Sequence, residues 1–140
     1  MKKFFYPRHS NSKLVSWVSL LLRVVFGLSM LSAHGWRKLL KAVGDDPIRF
    51  ADPIGVGEPM SLYLTVFSEV LCSALLVLGL FARGVLVPLV ITMLVAIFMI
   101  HFSDPFAKKE LAIIYTTVYV AIFALGPGKF SLDHLLFGKK

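Results

Sequence analysis

Long apolar runs constrain this chain more than any other feature. They lie at about Leu14–Ser32, Met60–Phe81, Val85–Phe102 and Leu111–Leu125. Crossing the hydrocarbon core of a bilayer, ~30 Å thick, takes ~20 residues, with ~17 as a practical minimum. The first two runs reach that length. The third and fourth need flanking side chains that snorkel or a bilayer that thins. Of the 140 residues, 57% are hydrophobic and 16% charged, whereas a soluble domain carries about 25% charged residues. The predicted fold is all-α, a four-transmembrane-helix bundle. One domain is expected over residues 14–126, between a basic N-terminal tail, 1–13, and a C-terminal tail, 127–140.

The first run follows Lys2, Lys3, Arg8 and Lys13 but is interrupted by Arg23 and has no small-x-small cleavage site. It is therefore expected to be a retained helix and not a cleaved signal peptide. Turn signals cluster at Asp45-Asp46-Pro47, Asp52-Pro53 and Gly55-Val56-Gly57. Between them and the first run, Trp36–Val43 is basic with an apolar side and is expected to lie along the interface. Ala82-Arg83-Gly84 is the predicted short connection between helices two and three, which makes them antiparallel neighbours.

The net charge of +7 sits mostly in the tails and loops. No basic stripe with interleaved aromatics and no nucleic-acid motif accompanies it. Lys and Arg beside spans meet anionic headgroups instead. Counted over the loops, eight basic residues lie with the N-terminus and six opposite. The positive-inside rule then predicts both termini in the cytoplasm, with residues 35–59 and 103–109 outside. The single cysteine, Cys72, cannot form an intramolecular disulfide or a CxxC pair and reads as a small buried packing residue.

Two ionisable residues fall deep in the runs, Arg23 and Glu69. An unpaired charge at mid-membrane costs ~2.5–3.5 kcal/mol or more, so such residues face the bundle interior and find partners. Arg23 lies ~16 Å from His34, taken as the end of helix one, and Glu69 ~13 Å from Met60, taken as the start of helix two. On antiparallel helices the two are predicted to pair. Gly27, Met30 and His34 follow Arg23 on one helical stripe, and Gly27 allows a neighbouring backbone or a ligand close. Glu58, Leu62, Thr65, Glu69 and Ser73 make a matching stripe on helix two. Tyr115 and Tyr119, four apart on helix four, could supply hydroxyls to this seam.

An outer polar mouth is expected from His34, Lys38, His101 and Glu110, which an up-down bundle brings to one face. These residues read equally as interfacial groups snorkelling to water. They lack HxxH or HExxH spacing, and no metal site is expected. No P-loop, GxGxxG or Ser-His-Asp order is present. Redox chemistry would need a borrowed cofactor or a partner subunit.

Taken in order, Arg23…Gly27…His34-Gly35…Lys38, Glu69, Leu78-Gly79-Leu80-Phe81-Ala82-Arg83, His101, Gly126-Pro127-Gly128 and Ser131-Leu132-Asp133 resemble the DoxX family of small membrane proteins. The resemblance implies a four-helix inner-membrane protein linked to a membrane redox system. The family name derives from a subunit of an archaeal thiosulfate:quinone oxidoreductase, but this chain lacks that larger subunit's extra segments. Three roles stay open. The first is a component of a quinone- or thiol-linked redox system, holding a bound quinone and a redox-enzyme partner subunit. The second is a small transporter or permeation element. The third is a non-catalytic assembly or scaffold subunit. A second copy of the chain is a further candidate partner beside the lipid bilayer.

Overall fold

The structure is a computed structural model that describes residues 12–138. Lys2, Lys3 and Arg8 of the basic N-terminal tail lie outside the described residues, as do Lys139 and Lys140. Among the described residues there are helices and no strands. Helix α1 spans Lys13–Val43, α2 spans Glu58–Leu78 and α3 spans Ala82–Ile100. Helix α4 spans Phe106–Leu125 and the short α5 spans Leu132–Phe137. The first three are long and apolar enough to cross a membrane. Helix α4 is 20 residues long, but Lys108, Lys109 and Glu110 occupy its first two turns, leaving a mostly apolar stretch of 15 residues from Leu111 to Leu125.

The boundaries follow from local chemistry. Ser12 caps α1 through its hydroxyl, which accepts from the Val15 amide. Glu58 and Pro59 open α2, where an acidic group and a residue without an amide proton both suit a helix start. Gly79 ends α2 in the left-handed conformation, φ +68°. The α2–α3 turn therefore falls at Gly79–Phe81, three residues before the predicted Ala82-Arg83-Gly84. Helix α1 departs most from expectation. It does not end near His34 or turn into a separate interfacial segment. It passes through a π-helical stretch, Met30–Gly35, and continues as α-helix to Val43. Its 31 residues span ~46 Å at 1.5 Å per residue. Similar π-helical stretches occupy Phe67–Cys72 in α2 and Ala96–Ile100 in α3.

The core forms where α1, α2, α3 and α4 converge. Met30, Cys72, Leu76, Leu89, Tyr119 and Ile122 are buried at its centre. Cys72 is there as a packing residue. Large apolar side chains also cover the outside of the bundle, among them Leu21, Leu71, Ile91 and Val120. Such a surface suits a lipid solvent rather than water. Alpha-1 approaches α2 through its glycines. A Cβ on Gly27 would lie 2.6 Å from Val77 Cγ2, and one on Gly35 would lie 2.8 Å from the Glu69 carbonyl oxygen. Close backbone approach is the use that small residues have at membrane helix interfaces.

The C-terminal segment is not a tail. Ser131 and Asp133 are buried against the bundle, and α5 is capped by the Ser131 hydroxyl. The folded domain therefore continues past residue 126, because polar groups in 126–133 complete the hydrogen bonding of α1, α2 and α3.

Candidate functional site

The two ends of the bundle hold different polar constellations. At the end nearest α5, Arg23 is fully buried. Its Nη1 donates to the carbonyls of Leu76 and Val77, both at 3.3 Å, and its Nη2 donates to the Phe130 carbonyl at 2.7 Å. The first two acceptors belong to the last turn of α2, whose carbonyls have no partner within the helix. A cation there also complements the helix dipole. Across the turn, Asp133 accepts from the amides of Phe81 and Ala82 at 2.8 and 2.9 Å, capping the start of α3. One cation and one anion thus clamp both sides of a three-residue turn. Gly79 is required between them, because a Cβ there would lie 2.1 Å from Arg23 Nη1. Ser19 donates to the Gly126 carbonyl at 2.7 Å and Ser16 accepts from the Lys129 amide at 3.2 Å, tying 126–129 to α1.

The predicted Arg23–Glu69 pair does not form. Glu69 takes both of its bonds from Lys38 Nζ, at 2.6 and 2.7 Å. The depth argument failed because it ended helix one at His34. The nine further residues of α1 move its outer end by ~14 Å and bring Lys38 opposite Glu69. Arg23 instead faces Leu76 and Val77, seven and eight residues beyond Glu69.

At the Glu69 end a cavity of about 460 Å³ opens between α2, α3 and the loop after α1. Its walls are mostly apolar, with Phe50, Ile54, Phe67, Ile91 and Met93 among them. Leu64, Phe67, Ile91 and Ile100 belong both to this wall and to the exposed lipid-like surface. The polar lining is Lys38, Glu69, Ser61, Thr65, Ser68, Thr92 and His101. Ser68 and Thr92 close on each other at 2.9 Å. Lys38 uses two bonds on Glu69, so its ammonium keeps a third donor. The His101 Nδ1 meets Asp104 at 2.7 Å, which leaves Nε2 as the ring's other polar atom. That bond, reinforced by Lys108, holds the Asp104 carboxyl below the usual carboxylate range. The loop side of the cavity is fixed by Asp52, which accepts from the Ser61 hydroxyl and from the amides of Val56 and Gly57. These bonds, the Ser61 one first, hold the Asp52 carboxyl low as well.

Of the four residues expected at the outer mouth, Lys38 and His101 line the cavity. His34 does not line it. Its ring meets Tyr115 edge-on at 5.8 Å between centroids, at the α1–α4 contact. Glu110 is exposed on α4 and is not part of the cavity wall. Tyr115 and Tyr119 are buried and 5.7 Å apart. Tyr115 also meets Phe26 edge-on, and the hydrogen bonds of Arg23 go to backbone carbonyls and not to either tyrosine. Sequence reasoning missed Asp52, Asp104 and Asp133. Asp133 had a signal, a Ser-x-Asp helix start after Gly126-Pro127-Gly128, but it stood in an apparent tail.

The DoxX family model matches residues 18–102. The chain belongs to the DoxX family. It is 34% identical to an uncharacterized protein of Haemophilus influenzae over 126 residues, covering 84% of this chain and 90% of that relative. No solved structure matches it. Within this DoxX protein the matched region holds both sides of the Glu69–Lys38 pair and ends one residue after His101. The Asp133 clamp lies beyond it.

Proposed function

We propose that this DoxX protein is a four-span membrane component of a quinone-linked redox system, with the quinone head group in the α2–α3 cavity. The observation that carries this reading is the cavity itself. It is apolar, borders the lipid-facing surface, and presents the Lys38 ammonium as a donor beside the His101 imidazole. An apolar pocket with a few convergent polar groups is the usual form of a small-molecule site. The third proton of Lys38 is suited to a quinone carbonyl oxygen, and the His101 Nε2, an acceptor while Nδ1 donates to Asp104, to a hydroquinone hydroxyl. Asp104 orients His101, and Glu69 holds Lys38 in place. The quinone would supply two-electron chemistry, with electrons exchanged through a partner subunit. In this proposal α4 is the fourth span, with Lys108, Lys109 and Glu110 at its mouth, and both termini face the cytoplasm of an inner-membrane protein. The Trp36–Val43 end of α1 would then stand in the outer headgroup region.

The test is purification in native lipid nanodiscs, followed by extraction and mass spectrometry of bound quinone. Near-stoichiometric quinone is expected, falling in Lys38→Met and His101→Ala while helical content is kept. Background quinone in the unaltered protein would favour a scaffold role. Orientation is checked with cysteines placed at Asp46 and Leu135 in a Cys72→Ala chain. Impermeant reagent added outside should label position 46 and spare position 135, and the reverse pattern would invert the topology.

A further inference from the structure

Helix α5 inverts the pattern of a water-facing helix. Its polar residues Ser131 and Asp133 are buried, whereas Leu135 and Leu136 are 76% and 60% exposed and Phe137 is exposed beside them. A surface helix of a water-soluble domain turns its apolar side inward and its polar side out. The inward bonds of α5 fix its place. The Asp133 amide donates to the Gly79 carbonyl at 3.0 Å, and the Asp133 carboxylate takes the Phe81 and Ala82 amides. The Ser131 hydroxyl donates to the Gly128 carbonyl at 2.7 Å. These bonds hold α5 at the level where α2 ends and α3 begins, so its outward face lies at the ends of the spans.

Aromatic rings extend that face. Phe137 lies 6.2 Å from Phe81, and Phe130 lies 4.6 Å from Trp17, between ring centroids. All four are exposed. Trp17 stands on the outer face of α1 with Leu14 and Leu21, so through Phe130 the segment borders the lipid-facing surface. Tryptophan is enriched at the headgroup level of membrane proteins. Cations edge the same region. Lys13 is exposed at the start of α1, Lys129 is half-buried just before α5, and the sequence places Lys139 and Lys140 shortly after it. Asp133, the carboxylate of this segment, is turned inward onto amides and offsets none of them at the surface.

We propose that α5 is an in-plane interfacial helix whose Leu135, Leu136 and Phe137 dock on anionic phospholipid, in the leaflet where α1 and α3 begin. The apolar side chains enter the boundary between headgroups and acyl chains. The lysine stems run along that boundary and set their ammonium groups on the phosphates. A second copy of the chain is a poorer occupant, because a two-fold contact through this face would bring like cationic edges together. The surface is separate from the cavity, since none of its residues lines it. Its occupancy therefore does not depend on a quinone being bound.

The test uses the full chain, one copy per nanodisc, in phosphatidylcholine alone or in equal parts of phosphatidylcholine and phosphatidylglycerol. A spin label is attached through Leu136→Cys in a Cys72→Ala chain. Its collisions with oxygen and with a water-soluble nickel chelate are compared with those of a label at Asp46→Cys, on the exposed loop. The label at position 36 of α1 is not needed, because the label at 136 should itself favour oxygen while the one at 46 favours the chelate. Phosphatidylglycerol should also be retained over phosphatidylcholine when the mixed discs are dissolved in detergent and the bound lipid is identified by mass spectrometry. Lys129→Gln keeps the backbone amide that bonds Ser16, and should cut that preference about fivefold. A label at 136 that meets the chelate as freely as the one at 46 would overturn the docking and leave the face to a protein partner. A label shielded only when two copies share a disc would assign the face to a second copy and overturn it as well. Equal retention of the two lipids would overturn the anionic assignment.

Discussion

The two polar ends of this bundle use charge in opposite ways. Around Arg23 and Asp133 the charges meet backbone groups, three carbonyls on one side and two amides on the other. Around Glu69 the charge meets a side chain, Lys38, which still reaches an open cavity. Backbone acceptors cannot move or titrate, so the Arg23 end is a fixed joint. Side-chain partners can rotate, release and exchange for other groups, so the Glu69 end can rearrange. An ionisable residue buried in a membrane helix is by default a functional candidate. Arg23 shows the exception, a buried charge whose two terminal nitrogens bond backbone carbonyls, leaving only Nε without a partner. A fully buried guanidinium bonded across α1, α2 and the 126–131 segment also speaks against a polar path through the bundle.

The largest expected effect breaks the fixed joint. Arg23→Met leaves the Val77 and Phe130 carbonyls without their donor and the Leu76 carbonyl with the Gly79 amide alone. Each bond to a charged donor contributes ~1.5–3 kcal/mol, so a loss of at least about 3 kcal/mol is expected. Thermal unfolding in detergent measures it. Combined with Glu69→Gln, the losses should add, because Glu69 and Leu76 are separated by ~10 Å along α2 and share no partner. A non-additive cycle would mean that the two ends communicate, and would weaken the contrast drawn between them.

Parts of this contrast were legible in the sequence. The apolar runs located α1 to α4, and the Arg23–Gly27 stripe correctly faced another backbone. Glu69 was marked by its chemistry alone. What could not be read was the partner of each charge. Arg23 bonds carbonyls, which every residue carries and no side-chain pattern reveals. Lys38 was placed at the outer mouth and not opposite Glu69, because the apolar run seemed to close near His34. The helix instead continues through Gly35, which is small enough to sit on the Glu69 carbonyl. The role of Asp133 depended on residues 126–133 folding back onto the bundle. That return is set by Ser16, Ser19 and Arg23, more than a hundred positions earlier.

A smaller effect is expected at the exchanging end. Lys38→Met leaves Glu69 almost fully buried without its partner. A carboxyl in that position can take a proton and become neutral, which limits the cost. A destabilisation of about 1–3 kcal/mol is expected, with Lys38→Met/Glu69→Gln recovering part of it. Arg23 has no comparable escape, because a guanidinium does not give up its proton in proteins. If Lys38→Met proved as damaging as Arg23→Met, the distinction between fixed and exchanging charges would fail.

The smallest effect concerns the loop that roofs the cavity. Asp52 lies at the surface, and its carboxylate accepts from Ser61, Val56 and Gly57. Its folded-state pKa is therefore depressed from an ordinary value of 3.8. For a depressed carboxylate the unfolded or loosened state binds the proton more readily. The stabilisation is then fully present above the ordinary value and is lost as pH falls through the folded one. Loop 50–57 should accordingly stay closed near neutral pH and loosen only below about pH 4. Asp52→Asn retains one acceptor oxygen but no titrating charge. It should weaken the Gly57 contact slightly at every pH and remove the acid-dependent component. A spin label at Ile54, read between pH 3 and 7, would show this as a mobility change present in the parent chain and flat in the variant. The same label in Lys38→Met should keep the acid response, because Asp52 bonds the loop and the start of α2 without touching the Glu69 pair. A loop whose mobility followed Glu69 instead would join the cavity roof to the exchanging charge, and the quiet surface carboxylate would belong to the site's chemistry after all.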